Sequence, residues 1–445
     1  MLPSSTSVRI LFHPALPGTR LGVNPVERWW FRTDVVHPRC AGIDCSKKDA
    51  KVCVRVQGQG RKRASSTVTT WGATTSQILA LREHLLAEKV TCVVIESTSD
   101  YWKPFYYLLD DALNVMLVNA SRVRNVPGRK TDVSDAAWLA DLGAHGLVTA
   151  SLVPPPAIRA LRDLTRARTH ITRERSREVL RLEKLLEDAG IKLSSVASDI
   201  TGVSSRLMLQ SLIDGQRDPA VVADLAKRRL RNKLPELTEA LTGRFSDHHA
   251  FLAGMYLASI DQRTEAIADL TARIEVVIEP FHSFCDLICT IPGIGIRTAE
   301  VIVAETGADM NVFPTAGHFA SWAGTCPGSH ESAGRVKSTK IRPGNSYLKA
   351  ALGAAALSIA NTHGTYLATK YRRIATRRGP MKAIVAIEHA ILVAIWNMGH
   401  TGAEYNDPGA DYYTRQDPER IRQHAMSQLQ RLGYDVTLSP IAASA

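Results

Sequence analysis

The chain has 445 residues, 45% apolar and 22% charged, a balance that excludes a low-complexity polymer and allows two or three domains with real cores. Lysine and arginine number 55 against 43 acids, a surplus of 12 positive charges; such a protein either serves a polyanionic partner or is simply basic. Seven cysteines, an odd count with no Cys-x-x-Cys pair, exclude a disulfide framework and a zinc ribbon and read as reduced thiols of a cytoplasmic protein.

Residues 1–40, rich in Pro, Arg and His, read as a disordered leader. A first domain is expected over 41–150. AGIDCS supplies a strand at 41–46, KVCVRV (51–56) alternates as its hairpin partner, and SSTVTTW follows as a third strand. TTSQILALREHLLAEK (74–89) has helical spacing. VTCVVIE (90–96) is a continuous apolar run, as in a central buried strand. A helix near 101–112, a strand at 114–120 and a helix from Asp132 complete a mixed sheet flanked by helices.

A helical connector is expected over 151–285. Val179, Leu182, Leu186 and Ala189 follow 3-4-3 spacing, and Ile260, Ile267, Leu270, Ile274 and Val277 repeat the flavour. Two readings stand: a coiled-coil-like stalk that pairs with a second copy, or two amphipathic helices of one bundle. Residues 286–400 form a third domain of small-residue-rich helices, and 401–445 a tail with a helix at 417–433. The apolar run 383–396 carries Glu388 and His389, so it reads as a buried helix and not a membrane span.

Four acids merit attention. Asp132 and Asp135 share a helical face, although in isolation an imperfect capping box is the better account of them. Asp44 lies in the first strand and Glu96 ends the buried one. Ligands of such sheets gather at the carboxyl ends of central strands. If the two strands are neighbours, the four carboxylates converge, and only cations would hold them together. All-oxygen ligands suit Mg²⁺, and a pair of such ions clamps the attacking and leaving oxygens of a phosphodiester. Directly upstream, Arg122, Arg124, Arg129 and Lys130 come without an acid among them; they either hold a nucleic-acid backbone or form a solvated turn.

In IPGIGIRTAE, Gly293 and Gly295 either let backbone amides approach a phosphate at a helix N-terminus or simply turn the chain between packed helices. Further on, Arg335, Lys337, Lys340 and Arg342 follow Ser332, which has Ala333 and Gly334 beside it. Small neighbours leave the hydroxyl open, and the cations suit the charge of a phosphoryl transition state. A lone loop serine is otherwise a surface residue. The basic run KYRRIATRRGPMK (370–382) is either a nucleic-acid track or a solvated inter-helix loop.

Asp44, Glu96, Asp132 and Asp135, with KTDVSDAAWLADL around the last two, resemble the acid site of the DEDD transposases. These are the insertion-sequence one-hundred-and-ten family, relatives of Piv-type invertases, with likeness to RuvC-type Holliday-junction resolvases. WAGTCPGSHESAGRVKSTKIRPGNSYL resembles that family's second signature, in which Ser332 matches the catalytic serine; Glu331 stands where many relatives carry another serine. The resemblance spans about 41–435. It implies an α/β RNase H-like (RuvC-like) N-terminal domain, a long helical coiled-coil-like middle and a mostly α C-terminal domain with a helix-hairpin-helix-like motif. It further implies Mg²⁺ on the four acids and a phosphoserine at Ser332. The implied partners are element-end and target DNA, a structured guide RNA and further copies of the chain as a dimer or tetramer, with no membrane. Two other functions remain open from the residues alone: a metal-dependent resolvase or nuclease, and a non-enzymatic nucleic-acid-binding relic.

Overall fold

The computed structural model describes residues 34–60, 62–119, 132–328 and 330–438; for 132–134 and His330 it describes the backbone alone. The chain divides into two compact units, residues 1–153 and 154–445.

The first unit is built on a five-stranded sheet. Its strands are β1 (Arg39–Cys45), β2 (Asp49–Val56), β3 (Ser65–Gly72), β4 (Cys92–Glu96) and β5 (Val115–Val118). They lie in the order β3-β2-β1-β4-β5. β1, β2 and β3 pair antiparallel, while β4 lies parallel between β1 and β5. This is the mixed sheet expected from the sequence. Its first strand starts before residue 41, and the Val36 and His37 amides donate to the Ala144 carbonyl. The end of the expected leader therefore belongs to the domain, because Arg39 and Cys40 complete the pairing with Val56 and Arg55.

Helices α1 (Thr75–Ala87) and α2 (Trp102–Leu109) bury Ile78, Leu81, Leu85, Phe105 and Leu109 against Ile43, Val52, Val93 and Ile95 on one sheet face. The other face carries Cys40, Gly42, Cys92 and Val94, and α3 (Asp132–Ala144) covers it with Leu139 and Leu142. Two glycines let α3 sit close. A Cβ on Gly42 would stand 2.1 Å from the Ala136 carbonyl oxygen and 2.4 Å from the Ala140 nitrogen. One on Gly143 would meet Val94 Cγ2 at 2.5 Å and Cys40 Sγ at 2.7 Å. Arg55 of β2 ties the helix down through Nε to Asp141 Oδ1 at 2.5 Å.

The second unit contains two long helices, α4 (Pro156–Asp188) and, after α5 (Leu193–Val196), α6 (Val203–Ile213), α7 (Pro219–Ala223) and α8 (Leu234–Ala240), the helix α9 (Asp247–Val277). Leu182, Leu186 and Ala189 bury themselves against Met208, Leu209, Leu212, Ala253, Leu257 and Ile260. The apparent coiled-coil seam of α4 is thus filled by the chain's own helices, because α9 and residues 191–245 fold back over it.

The first half of α4 packs elsewhere, on α11 (Ile296–Thr306), which follows α10 (His282–Cys289). Arg168 Nη2 meets Glu300 Oε2 at 2.5 Å, and Arg166 grips the buried Glu305 carboxylate with Nε at 2.7 Å and Nη2 at 2.8 Å. The expected boundary at 285 therefore falls inside one compact unit: buried carboxylates on α11 require the arginines of α4 as partners. After α12 (Ala316–Trp322) come α13 (Ser346–Ala360), α14 (Tyr366–Arg378) and α15 (Pro380–Thr401), then the short α16 (Tyr412–Gln416) and α17 (Pro418–Arg431). α15 is long and apolar enough to cross a membrane. It buries Ile384, Ile387, Glu388, Ile391 and Ile395 against its neighbours, as a core helix does.

Candidate active-site elements

In the first unit, Ile43 of β1 pairs in parallel register with Ile95 of β4. The next residues, Asp44 and Glu96, therefore stand side by side at the carboxyl ends of adjacent strands. Side chains alternate along a strand, so Asp44 lies on the face of Gly42 and Glu96 on that of Val94, the face under α3. Gly143 rests over Cys40 and Val94, and Ala136 with Ala140 over Gly42. The helix thus runs antiparallel to β1, and its first turn, with Asp132 and Asp135, reaches toward Asp44. Both aspartates lie in the helix, as the sequence reading required.

Asp44 and Glu96 are half-buried; Thr98 Oγ1 donates to Glu96 Oε1 at 3.3 Å. Lys51, which the sequence did not single out, is the register partner of Asp44 on β2; its ammonium donates to Thr70 Oγ1 at 2.9 Å and stands 3.9 Å from Asp49 Oδ2. The donor set is all oxygen and suits a hard cation. Among the described residues no three His, Cys, Asp or Glu stand close enough to share one, with the Asp132 side chain outside the description. Arg122, Arg124, Arg129 and Lys130 also lie outside the described residues.

In the second unit, Ser332 ends β6 (His330–Ser332), which pairs antiparallel with β7 (Arg335–Ser338). Ala333 and Gly334 connect them with φ of 52° and 72°, the two left-handed residues of a type I′ turn. Ser332 pairs directly with Arg335 and is exposed at the tip. Its hydroxyl shares a face with Arg335 and Lys337, while the adjacent Glu331, paired with Val336, belongs to the opposite face.

The hairpin rises from a cinched base. Pro327 bridges to Ile341, and the Gly328 amide donates to the Lys340 carbonyl at 2.9 Å. Below them Gly324 and Gly344 touch backbone to backbone: a Cβ on Gly344 would lie 2.1 Å from the Ala323 carbonyl oxygen. Asn345 then caps α13, its Oδ1 accepting from the Tyr347 and Leu348 amides, and its Nδ2 donates to Glu305 Oε2 at 2.5 Å. Beside the hairpin a cavity of about 770 Å³ is lined by Lys337, Lys340, Arg342 and Lys349. Among the described residues no acid lines it, which suits a phosphate group.

The two glycines of the hinge differ in role. Gly293, at φ 86°, faces α13, where a Cβ would meet Ile359 Cγ1 at 2.6 Å, whereas Gly295 caps α11 with open space around it. Packing thus accounts for Gly293. The basic run 370–382 is not a loop: its residues end α14 and begin α15, broken only at Gly379. Glu305, Asn345, Gly324, Gly344 and Lys349 were not singled out from sequence. The available signal was the pair of glycines flanking the serine segment, since glycine marks close backbone approach.

Residues 41–191 match the model of the IS110-type DEDD transposases, and residues 285–372 that of the IS116/IS110/IS902 transposase family. The chain is 28% identical over 264 residues to the IS110 uncharacterized 43.6 kDa protein of Streptomyces coelicolor, a match spanning 53% of this chain and 62% of that one. It is 25% identical over 402 residues to the IS900 uncharacterized 42 kDa protein of Mycobacterium paratuberculosis, spanning 84% and 98%. Among solved structures, Thermus thermophilus RuvC aligns with 25% of this chain and 99% of its own, at 13% identity and a TM-score of 0.21.

Proposed function

The chain belongs to the IS110 family of DEDD transposases, and we propose that it cuts and rejoins DNA at the ends of a mobile element through Ser332. The observation that carries this reading is the exposed hydroxyl at the tip of a cinched hairpin, on one face with Arg335 and Lys337.

The Ser332 hydroxyl attacks a backbone phosphorus and gives up its proton. The bond from phosphorus to the departing strand breaks, and that strand leaves with a hydroxyl end. The product is a phosphoserine diester, and attack on it by a strand hydroxyl restores the DNA backbone and the serine. Arg335, Lys337, Lys340 and Arg342 neutralise charge on the transferring phosphoryl group. Asp44, Glu96, Asp132 and Asp135 would hold Mg²⁺, which supplies charge stabilisation to a phosphoryl oxygen. Arg122, Arg124, Arg129 and Lys130 would steady the nucleic-acid backbone, and Gly295 would admit a phosphate to the α11 amides. In this reading copies of the chain assemble as an oligomer in the cytoplasm, and a structured RNA guides target choice.

The test is to incubate the protein, RNA from beside its gene and element-end DNA with Mg²⁺. A denaturation-resistant protein–DNA species should form and be lost in Ser332→Ala. Cleavage that survives Ser332→Ala with no such species would identify a nuclease using the carboxylates alone. Function intact in Asp44→Ala would identify a binding protein with a relic acid site.

A further inference from the structure

We propose that α14 and the turn after it form a second nucleic-acid face, separate in role from the serine hairpin, that takes the phosphate backbone of a duplex. Residues 370–382 carry Lys370, Arg372, Arg373, Arg377, Arg378 and Lys382 with no acid among them. Arg373, Arg377, Arg378 and Lys382 are exposed. None of the six makes an ion pair with the described residues; Arg372 donates only to the Thr362 carbonyl and His363. α4 shows the contrast, since its Arg162, Arg166, Arg168 and Arg181 each meet a carboxylate. Like charges at i, i+3 and i, i+4 work against a helix, and an external polyanion removes that repulsion.

The geometry favours a backbone ligand. Tyr366, Lys370, Arg373 and Arg377 fall at i, i+4, i+7 and i+11, one stripe of a helix roughly 16 Å long. Lys370 Nζ lies 5.5 Å from the Tyr366 ring centre and the Arg373 guanidinium 4.5 Å from that of Tyr413. Tyr366 and Tyr413 stack on each other, 5.8 Å apart and 24° from parallel. These rings hold the cations in place instead of offering free faces to unpaired bases, the mark of single-strand binders. A merely solvated helix end would account for Arg377 and Arg378, which complement the macrodipole. It would not account for Lys370, Arg373 and Lys382.

The inference needs only that the protein works on nucleic acid, not the serine chemistry. The experiment uses the full chain and measures affinity for a short duplex DNA, a duplex RNA of equal length and the single DNA strand across a salt series. The variants are Arg373→Gln/Arg377→Gln/Arg378→Gln, its charge-preserving counterpart with Lys at the three positions, and the charge-matched control Lys227→Gln/Arg229→Gln/Lys233→Gln. The first triple should weaken duplex binding at least about tenfold and flatten the log–log salt slope by about 2 to 3, at about 0.9 per lost phosphate contact. The Lys triple and the control should keep the parent slope. The duplex that loses more affinity identifies the source, DNA or RNA. An unchanged slope in the first triple, an equal change in the control, or tighter binding of the single strand overturns the proposal. Formation of the Ser332 adduct is scored in the same samples at saturating DNA. Its absence with an intact α14 effect defeats the serine reading alone.

Discussion

Gly42 decides how near the acids come to one another. Its missing side chain lets α3 lie on β1, and α3 brings Asp135 to the end of the sheet where Asp44 and Glu96 emerge. Gly42→Ala puts a methyl group 2.1 Å from a helix carbonyl, so the helix must lift. Overpacking of this kind costs about 1–3 kcal/mol. The expected outcome is lower stability and weaker binding of Mg²⁺ or Mn²⁺, followed by titration calorimetry. Metal affinity equal to the parent would show that the helix does not set the acid site. Asp44, Glu96 and Ser332 stood out in the sequence because each breaks a local pattern: an acid in or ending an apolar strand, a serine between small residues and cations. Glu305 breaks none. Its importance comes from Arg166 and Asn345, distant in the chain, closing on it once α11 is packed.

At the scale of elements, α13 and α15 enclose a buried acid. Among the described residues Glu388 Oε2 has no hydrogen-bond partner, and burial pushes its carboxyl up while Lys349 pulls it down. The unfolded chain ionises in the ordinary glutamate range, whereas the folded chain keeps its proton to higher pH. Between those two values the native state binds more protons, so stability falls as pH rises through that window. Glu388→Gln should remove the slope, raising the denaturant midpoint at neutral pH and leaving it nearly unchanged in acid. A variant no more stable than the parent at neutral pH would mean that Glu388 is not held in that environment. The same scale explains why the sequence left two readings of the seam open. Val179, Leu182, Leu186 and Ala189 specify a helix with an apolar stripe, and that stripe is equally suited to a second copy or to the chain's own helices. Spacing along one helix carries no information about which partner arrives.

For the whole molecule, the division near residue 153 separates the two cores of the first unit, one on each side of its sheet, from the core around α4 and α9 in the second. Leu182 is fully buried in the second. Leu182→Ala should cost about 2–5 kcal/mol and lower one calorimetric transition while leaving the other in place. A single transition that shifts as a whole would make the two units one cooperative body.

The sequence by itself determined the strands and helices of the first unit, the four acids and the exposed serine, because periodicity, strand ends and local charge are properties of neighbouring residues. It also determined the family resemblance, through motifs that are contiguous in the chain. Tertiary structure alone decided that Asp44 and Glu96 are neighbours, that α4 and α11 share one unit, that the serine hairpin is cinched at Gly324 and Gly344, and that the cations of α14 meet no carboxylate among the described residues. Those facts depend on backbone approaches and charge partners between segments far apart in the chain, and no local pattern encodes which segments will meet.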